Sequence, residues 1–204
     1  MSIHAHPDDQ EFTVGGTLAK WARAGSEIVT VCLTSGEAGS NDSTPADMTR
    51  AKLIPIRQEE QRLACQVLGI KEVVFLDAED GMLQPTLALR REVTRVIRRF
   101  RPDAVVCGDP TVRFYGNRYL NHPDHRVAAD VALDAVFPSA ESAIAKPCCE
   151  APTEPFPISF GPEAKLPART VAALASAAQA TIRAIISIER TAMSHLESRS
   201  SSVG

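Results

Sequence analysis

The chain has 204 residues, 44% hydrophobic and 23% charged, which suits one globular domain with a sizeable core and leaves little room for two. Its formal net charge of -3 and pI near 6.0 lack the excess of basic residues that a general nucleic-acid binder would show. No apolar run approaches the roughly 18 residues that cross a bilayer, and MSIHAHPDDQ has neither the basic region nor the apolar core of a secretory signal. The expected compartment is the cytoplasm, and neither nucleic acid nor membrane is expected as a partner.

In chain order, short apolar runs alternate with helical patterns. Residues 1–5 supply a brief first strand. Residues 28–34 (IVTVCLT), 72–76 (EVVFL) and 103–107 (DAVVC) are rich in β-branched residues and read as buried strands. Helical periodicity runs over 12–24, 49–68 and 86–100. Pro55 interrupts the second of these, which predicts a helix starting near Ile56, and Gly69 is placed to cap its end. A fourth helix is predicted over 124–137, with Asn121 as its N-cap. Such alternation implies βαβ units, a parallel sheet and helices on both faces.

Beyond residue 140 the character changes. Seven of the 14 prolines fall between Pro138 and Pro167, and no Asp follows Asp134. The expected division is therefore a core over 1–140 and a divergent Pro/Ala/Ser-rich segment over 141–204, with one helix near 170–188. Cys32, Cys65 and Cys107 lie in apolar stretches, and Cys148-Cys149 lack CxxC spacing; all five read as structural or incidental.

In a parallel α/β sheet the ligand crevice lies beyond the carboxyl ends of the strands. Each polar motif here follows a strand: His6-Pro7-Asp8-Asp9, Gly36-Glu37-Ala38-Gly39, Asp77 to Gly81, and Gly108 to His125. His6 and Asp9 offer an imidazole and a carboxylate suited to zinc, while Asp8 between them points elsewhere and is free to take a proton. An Asp8–Glu11 capping box would explain the first motif equally well by itself. The second motif, Asn121-His122-Pro123-Asp124-His125, repeats the pattern. Together the two supply His6, Asp9 and His125, a three-ligand set with an open position, as catalytic zinc sites have. Nucleotide binding finds little support, because Gly36-Glu37-Ala38-Gly39 is neither G-x-G-x-x-G nor a P-loop.

The segment AHPDDQEFTVGGTLAKWARAG, the following strand and GEAG, then Arg57-x-Glu59-Glu60, Leu76-Asp77 with Asp80-Gly81-x-Leu83, and NHPDHR resemble the LmbE-like family of N-acetylglucosaminyl deacetylases, the PIG-L group. The resemblance spans roughly residues 3–137 and does not extend into the Pro-rich segment. It implies a Rossmann-like three-layer α/β sandwich with a mostly parallel sheet, divergent or incomplete at its C-terminal end. It also implies Zn2+, or another divalent metal such as Fe2+, held by His6, Asp9 and His125, with Asp8 as general base. His122 would act near the scissile carbonyl with Asp124 orienting it, and Arg57 and Asp80 would contact substrate hydroxyls. The expected activity is removal of an acetyl group from an N-acetylglucosamine-type conjugate or similar small N-acyl compound. Zinc lowers the pKa of a bound water to about 7, which gives a nucleophile strong enough for an amide. The alternative is a catalytically impaired metal-binding domain of the same family. Self-association is compatible with either.

Overall fold

The computed structural model describes residues 1–40 and 44–140. The segment 141–204, with the helix expected near 170–188 and the Cys148-Cys149 pair, lies outside the described residues. Strands β1 (Ser2–His4), β2 (Val29–Thr34) and β3 (Glu72–Ala78) form a parallel sheet in the order β1-β2-β3. Its register pairs Ile3 with Val31, and Val31 with Val74. The run 103–107 extends the sheet beyond β1 only through a single parallel bridge, Ser2 to Val106. Two backbone hydrogen bonds fix it: Ile3 N to Val106 O at 2.8 Å and Val106 N to Met1 O at 2.9 Å.

All six residues of β2 are buried, as a central parallel strand covered on both faces requires. Val31 and Leu33 point to one face, where Val93, Val96 and Ile97 of α4 (Leu87–Phe100) and Ala128, Val131 and Ala132 of α5 (Pro123–Asp134) cover them. On the other face, Leu18 of α2 (Gly15–Arg23) and Cys65 of α3 (Arg50–Leu68) pack with Ile28 and Ile70. Each of these Val, Leu and Ile side chains contributes about 1.5–3 kcal/mol when fully buried. The result is the α/β three-layer sandwich with a parallel sheet that the alternation implied. Among the described residues, no helix is long and apolar enough to cross a membrane.

Four elements depart from the sequence reading. The helix expected over 12–24 begins at Asp9 and divides at Val14 (φ -130, ψ 4) into α1 (Asp9–Thr13) and α2. Helix α3 starts at Arg50 rather than near Ile56: the Thr49 side chain accepts from Lys52 N at 3.3 Å and secures the first turn. Pro55 then costs that helix one backbone hydrogen bond instead of ending it. Helix α5 stops at Asp134, and the turn over 135–140 is broken at Phe137 (φ -130, ψ 130), the residue before Pro138, where helical backbone is disfavoured. Finally, β4 (Phe114–Tyr115) and β5 (Tyr119–Leu120) make an antiparallel hairpin inside what reads as a loop, turning through Gly116 at φ 64. Gly69 caps α3 as expected, at φ 76.

Candidate metal centre and active site

The loops after β1, β2 and β3 and the segment before α5 meet at the carboxyl end of the sheet. Ala5 leaves β1 anchored to β2, its carbonyl accepting from Thr34 N at 2.9 Å and Thr34 Oγ1 at 3.0 Å. His6 and Pro7 follow, and Asp8 then turns the chain through a left-handed conformation, φ 84 and ψ -26. The expected capping box does not form: Asp8 makes no side-chain cap hydrogen bond, and the Glu11 carboxylate accepts from Gln10 Nε2 and Gln61 Nε2. The turn sends successive aspartates apart. Asp9 faces inward, its Oδ2 accepting from His6 N at 2.9 Å and its Oδ1 3.0 Å from His125 Nε2. Asp8 stays at the edge, 47% exposed, with Oδ2 accepting from Arg57 Nη2 at 2.8 Å.

Three imidazoles form a triangle over this floor. Ring centroids lie 5.0 Å apart for His6–His122, 5.1 Å for His6–His125 and 5.3 Å for His122–His125. Nitrogens of all three lie within 4.8 Å of one another, as do donor atoms of His6, Asp80 and Asp124. Each ring is set by a neighbour. Asn121 Oδ1 accepts from His125 Nδ1 at 3.2 Å, which turns Nε2 toward Asp9 Oδ1 on the cavity floor. Asp124 N donates to His122 Nδ1 at 3.1 Å, so neutral His122 carries its proton on Nε2. His6 Nε2 lies 3.0 Å from Asp80 Oδ1 and 3.4 Å from Asp124 Oδ2, with Nδ1 left toward Asp9.

The electrostatics follow from this crowding. Burial pushes His6 down, but the bond to Asp9 and the Asp80 and Asp124 carboxylates raise it to about 9. Burial alone would push the Asp9 carboxyl up; hydrogen bonds from His125 and His6 outweigh it and hold the group well below the usual carboxylate range. Partial burial and the neighbouring His6 cation lower His122. An ionised carboxylate grouped with three imidazoles is a donor set suited to a divalent cation, whose binding would displace the proton that the carboxylates hold on His6. The partners that orient the rings complete the second sphere such sites need.

All eight residues singled out in the sequence gather here, some in different postures from those expected. Asp124, 1% exposed, sends its carboxylate to His6 and to Gly81 N at 2.8 Å; only its backbone N–H meets His122. Asp80, 5% exposed, is occupied by His6 and by Ala38 N at 2.8 Å. Arg57 holds Asp8 and donates to Pro7 O at 3.0 Å. Asn121 is not the helix cap; His122 is. Sequence reasoning passed over His4 and Gln61. Buried His4 bonds Ser2 Oγ at 2.7 Å, and Gln61 Oε1 accepts from Asp8 N at 2.7 Å. A lone polar residue within a run of exposed helix positions gives no sign of which way it faces.

Above the floor opens a cavity of about 970 Å³, with Asp8 and Arg57 on one wall and Phe12, Phe114, Tyr115 and Tyr119 toward the mouth. It is large enough for a sugar-sized ligand.

Residues 1–136 match the family model described as GlcNAc-PI de-N-acetylase, PIG-L. The chain belongs to the PIG-L family. Among PIG-L relatives it is 35% identical over 136 residues to a diacetylchitobiose deacetylase of Thermococcus kodakarensis, covering 67% of this chain and 48% of that one. Its fold matches N,N'-diacetylchitobiose deacetylase from Pyrococcus horikoshii in complex with an inhibitor, with TM-score 0.58 and 32% identity over 64% of this chain and 46% of the other. It also matches GalB, the 4-carboxy-2-hydroxymuconate hydratase of Pseudomonas putida, with TM-score 0.63 and 28% identity over 72% and 58% of the two chains. The chain spans about half the length of the curated relatives it matches.

Proposed function

We propose that this chain is a metal-dependent de-N-acetylase that hydrolyses the acetamide of an N-acetylglucosamine-type sugar or a similar small N-acyl compound to a free amine and acetate. The observation that carries the reading is the meeting of His6, Asp9, His122 and His125 on one cavity floor with Asp8 at its edge. Relatives named as deacetylases of diacetylchitobiose and of an N-acetylglucosaminyl malate support the substrate class. The donor set fits a divalent cation, zinc first, with His6, Asp9 and His125 to hold it; when bound, such an ion supplies a more acidic water and polarises the acetyl carbonyl.

The chain's own groups do the rest. Asp8, anchored by Arg57 yet open to the cavity, takes the proton of the attacking water. The His122 tautomer set by Asp124 N presents an Nε2–H donor to the oxygen on which negative charge develops. The amide C–N bond then breaks, and the proton held at Asp8 passes to the departing nitrogen. Asp80 and Asp124 act through His6 by fixing its ring, and neither needs to reach the sugar. Acetate release from N-acetylglucosamine and N,N'-diacetylchitobiose by metal-loaded protein tests the proposal. Full metal occupancy with no acetate from a panel of N-acetyl sugars would favour the impaired-domain alternative.

A further inference from the structure

Asp8 is the one residue of the first motif in a left-handed backbone conformation, which non-glycine residues adopt uncommonly and Asp more readily than most. Two residues one turn apart on α3 hold it here. Arg57 grips the Pro7 carbonyl and the Asp8 carboxylate. Gln61, 2% exposed, receives the Asp8 N–H on Oε1 at 2.7 Å. That N–H lies before the first turn of α1, so no helical carbonyl is available to it. Gln61 is itself held: its Nε2 donates to Glu11 Oε1 at 2.9 Å and lies 3.5 Å from Cys65 Sγ. Glu11 Oε1 also accepts from Gln10 Nε2, whose Oε1 accepts from Thr30 Oγ1 on β2. A chain of buried polar groups thus runs from the sheet to the backbone of Asp8.

We propose that Gln61 is a positioning residue for the base: its buried carboxamide fixes the Pro7–Asp8 peptide so that the Asp8 carboxylate faces the cavity, while Asp9 is held separately by His6 N and His125 Nε2. The inference rests on the reading of Asp8 as the base. An apolar side chain at 61 strands a buried N–H, and the 7–8 peptide reorients to recover a partner. That reorientation carries the Asp8 carboxylate out of line while leaving His6 and His125 in place. The consequence falls on kcat and not on substrate binding or metal content.

The test compares wild type, Gln61→Leu, the exchange Gln61→Glu with Glu11→Gln, and Asp8→Asn, all zinc-loaded, with N,N'-diacetylchitobiose as the probe. Gln61→Leu is expected to keep its zinc and its KM within about threefold while kcat falls about tenfold or more, part of the 10²–10⁴ that a general base supplies. Hydrogen exchange of the Asp8 amide should quicken about tenfold, in keeping with a lost buried hydrogen bond. The exchanged pair retains an acceptor for Asp8 N–H and the total charge, and should recover most of kcat. Should Gln61→Leu fold poorly, the exchanged pair and wild-type amide protection decide. Retention of kcat within twofold by folded Gln61→Leu, or an Asp8 amide unprotected in the wild type, overturns the proposal. An active Asp8→Asn instead overturns the base reading, while the exchange measurement still reports on Gln61 independently.

Discussion

Replacement of Asn121 by Ala separates a metal-ring orienter from a helix cap. Asn121 is buried, and its side chain makes two hydrogen bonds, to His125 Nδ1 at 3.2 Å and to Val112 O at 2.9 Å. At about 0.5–1.5 kcal/mol net per bond, truncation should lower stability by roughly 1–3 kcal/mol. Loss of the acceptor also frees the His125 tautomer, and second-sphere losses of this kind weaken metal affinity about 10–100-fold, or roughly 1.4–2.8 kcal/mol. A cap residue would show only the stability term. Zinc affinity, measured by competition with a chromophoric chelator, and the thermal midpoint of the metal-free protein report the two terms separately. An Asn121→Ala protein that melts lower yet binds zinc within twofold of wild type would refute the assignment.

Three further outcomes follow from the same geometry. Asp8→Asn should keep zinc and lose about 10²–10⁴ in rate, whereas Asp9→Asn should lose metal affinity, both read by elemental analysis alongside acetate release; equal zinc loss in the two would contradict their division of labour. Gly36→Ala should destabilise the protein by about 1–3 kcal/mol in thermal melts, because φ is 67 and a Cβ would come within 3.1 Å of Pro7 and 3.2 Å of Arg57; an unchanged midpoint would show that the β2 loop tolerates the strain. Burial holds His4 down at about 4, so its stabilising neutrality is complete above the unfolded value near 6.5 and fades as pH falls toward 4. Relative to His4→Gln, wild-type metal-free protein should therefore lose on the order of 2 kcal/mol between pH 7.5 and 5, and parallel pH profiles of urea unfolding for the two proteins would count against it.

Much of the architecture was legible because strand and helix periods differ so sharply here. The run IVTVCLT could only be a buried strand, and the two His–Pro–Asp segments each stood between a strand and a helix. The boundaries missed were set by single local contacts, such as the Thr49 cap that carries α3 through Pro55. The hairpin of Phe114–Tyr115 and Tyr119–Leu120 is too short for an alternating pattern to register. Within the site, residue identity marked which side chains gather around the cavity, but spacing alone gave no direction to a carboxylate. Asp124 was expected to serve its neighbour His122; its carboxylate reaches across to His6 and Gly81 because the helix start turns its side chain under the β1 loop. Gln61 was invisible for a related reason, since only the packing of α3 against α1 buries it beneath Asp8.

The most direct test of the account is the stoichiometry of products from N,N'-diacetylchitobiose incubated with zinc-loaded wild-type chain. The account predicts acetate and free amine in equal amounts, abolished by chelation and restored by added zinc. Fully metal-loaded, folded protein that releases neither product from this or any N-acetyl sugar tested would contradict it.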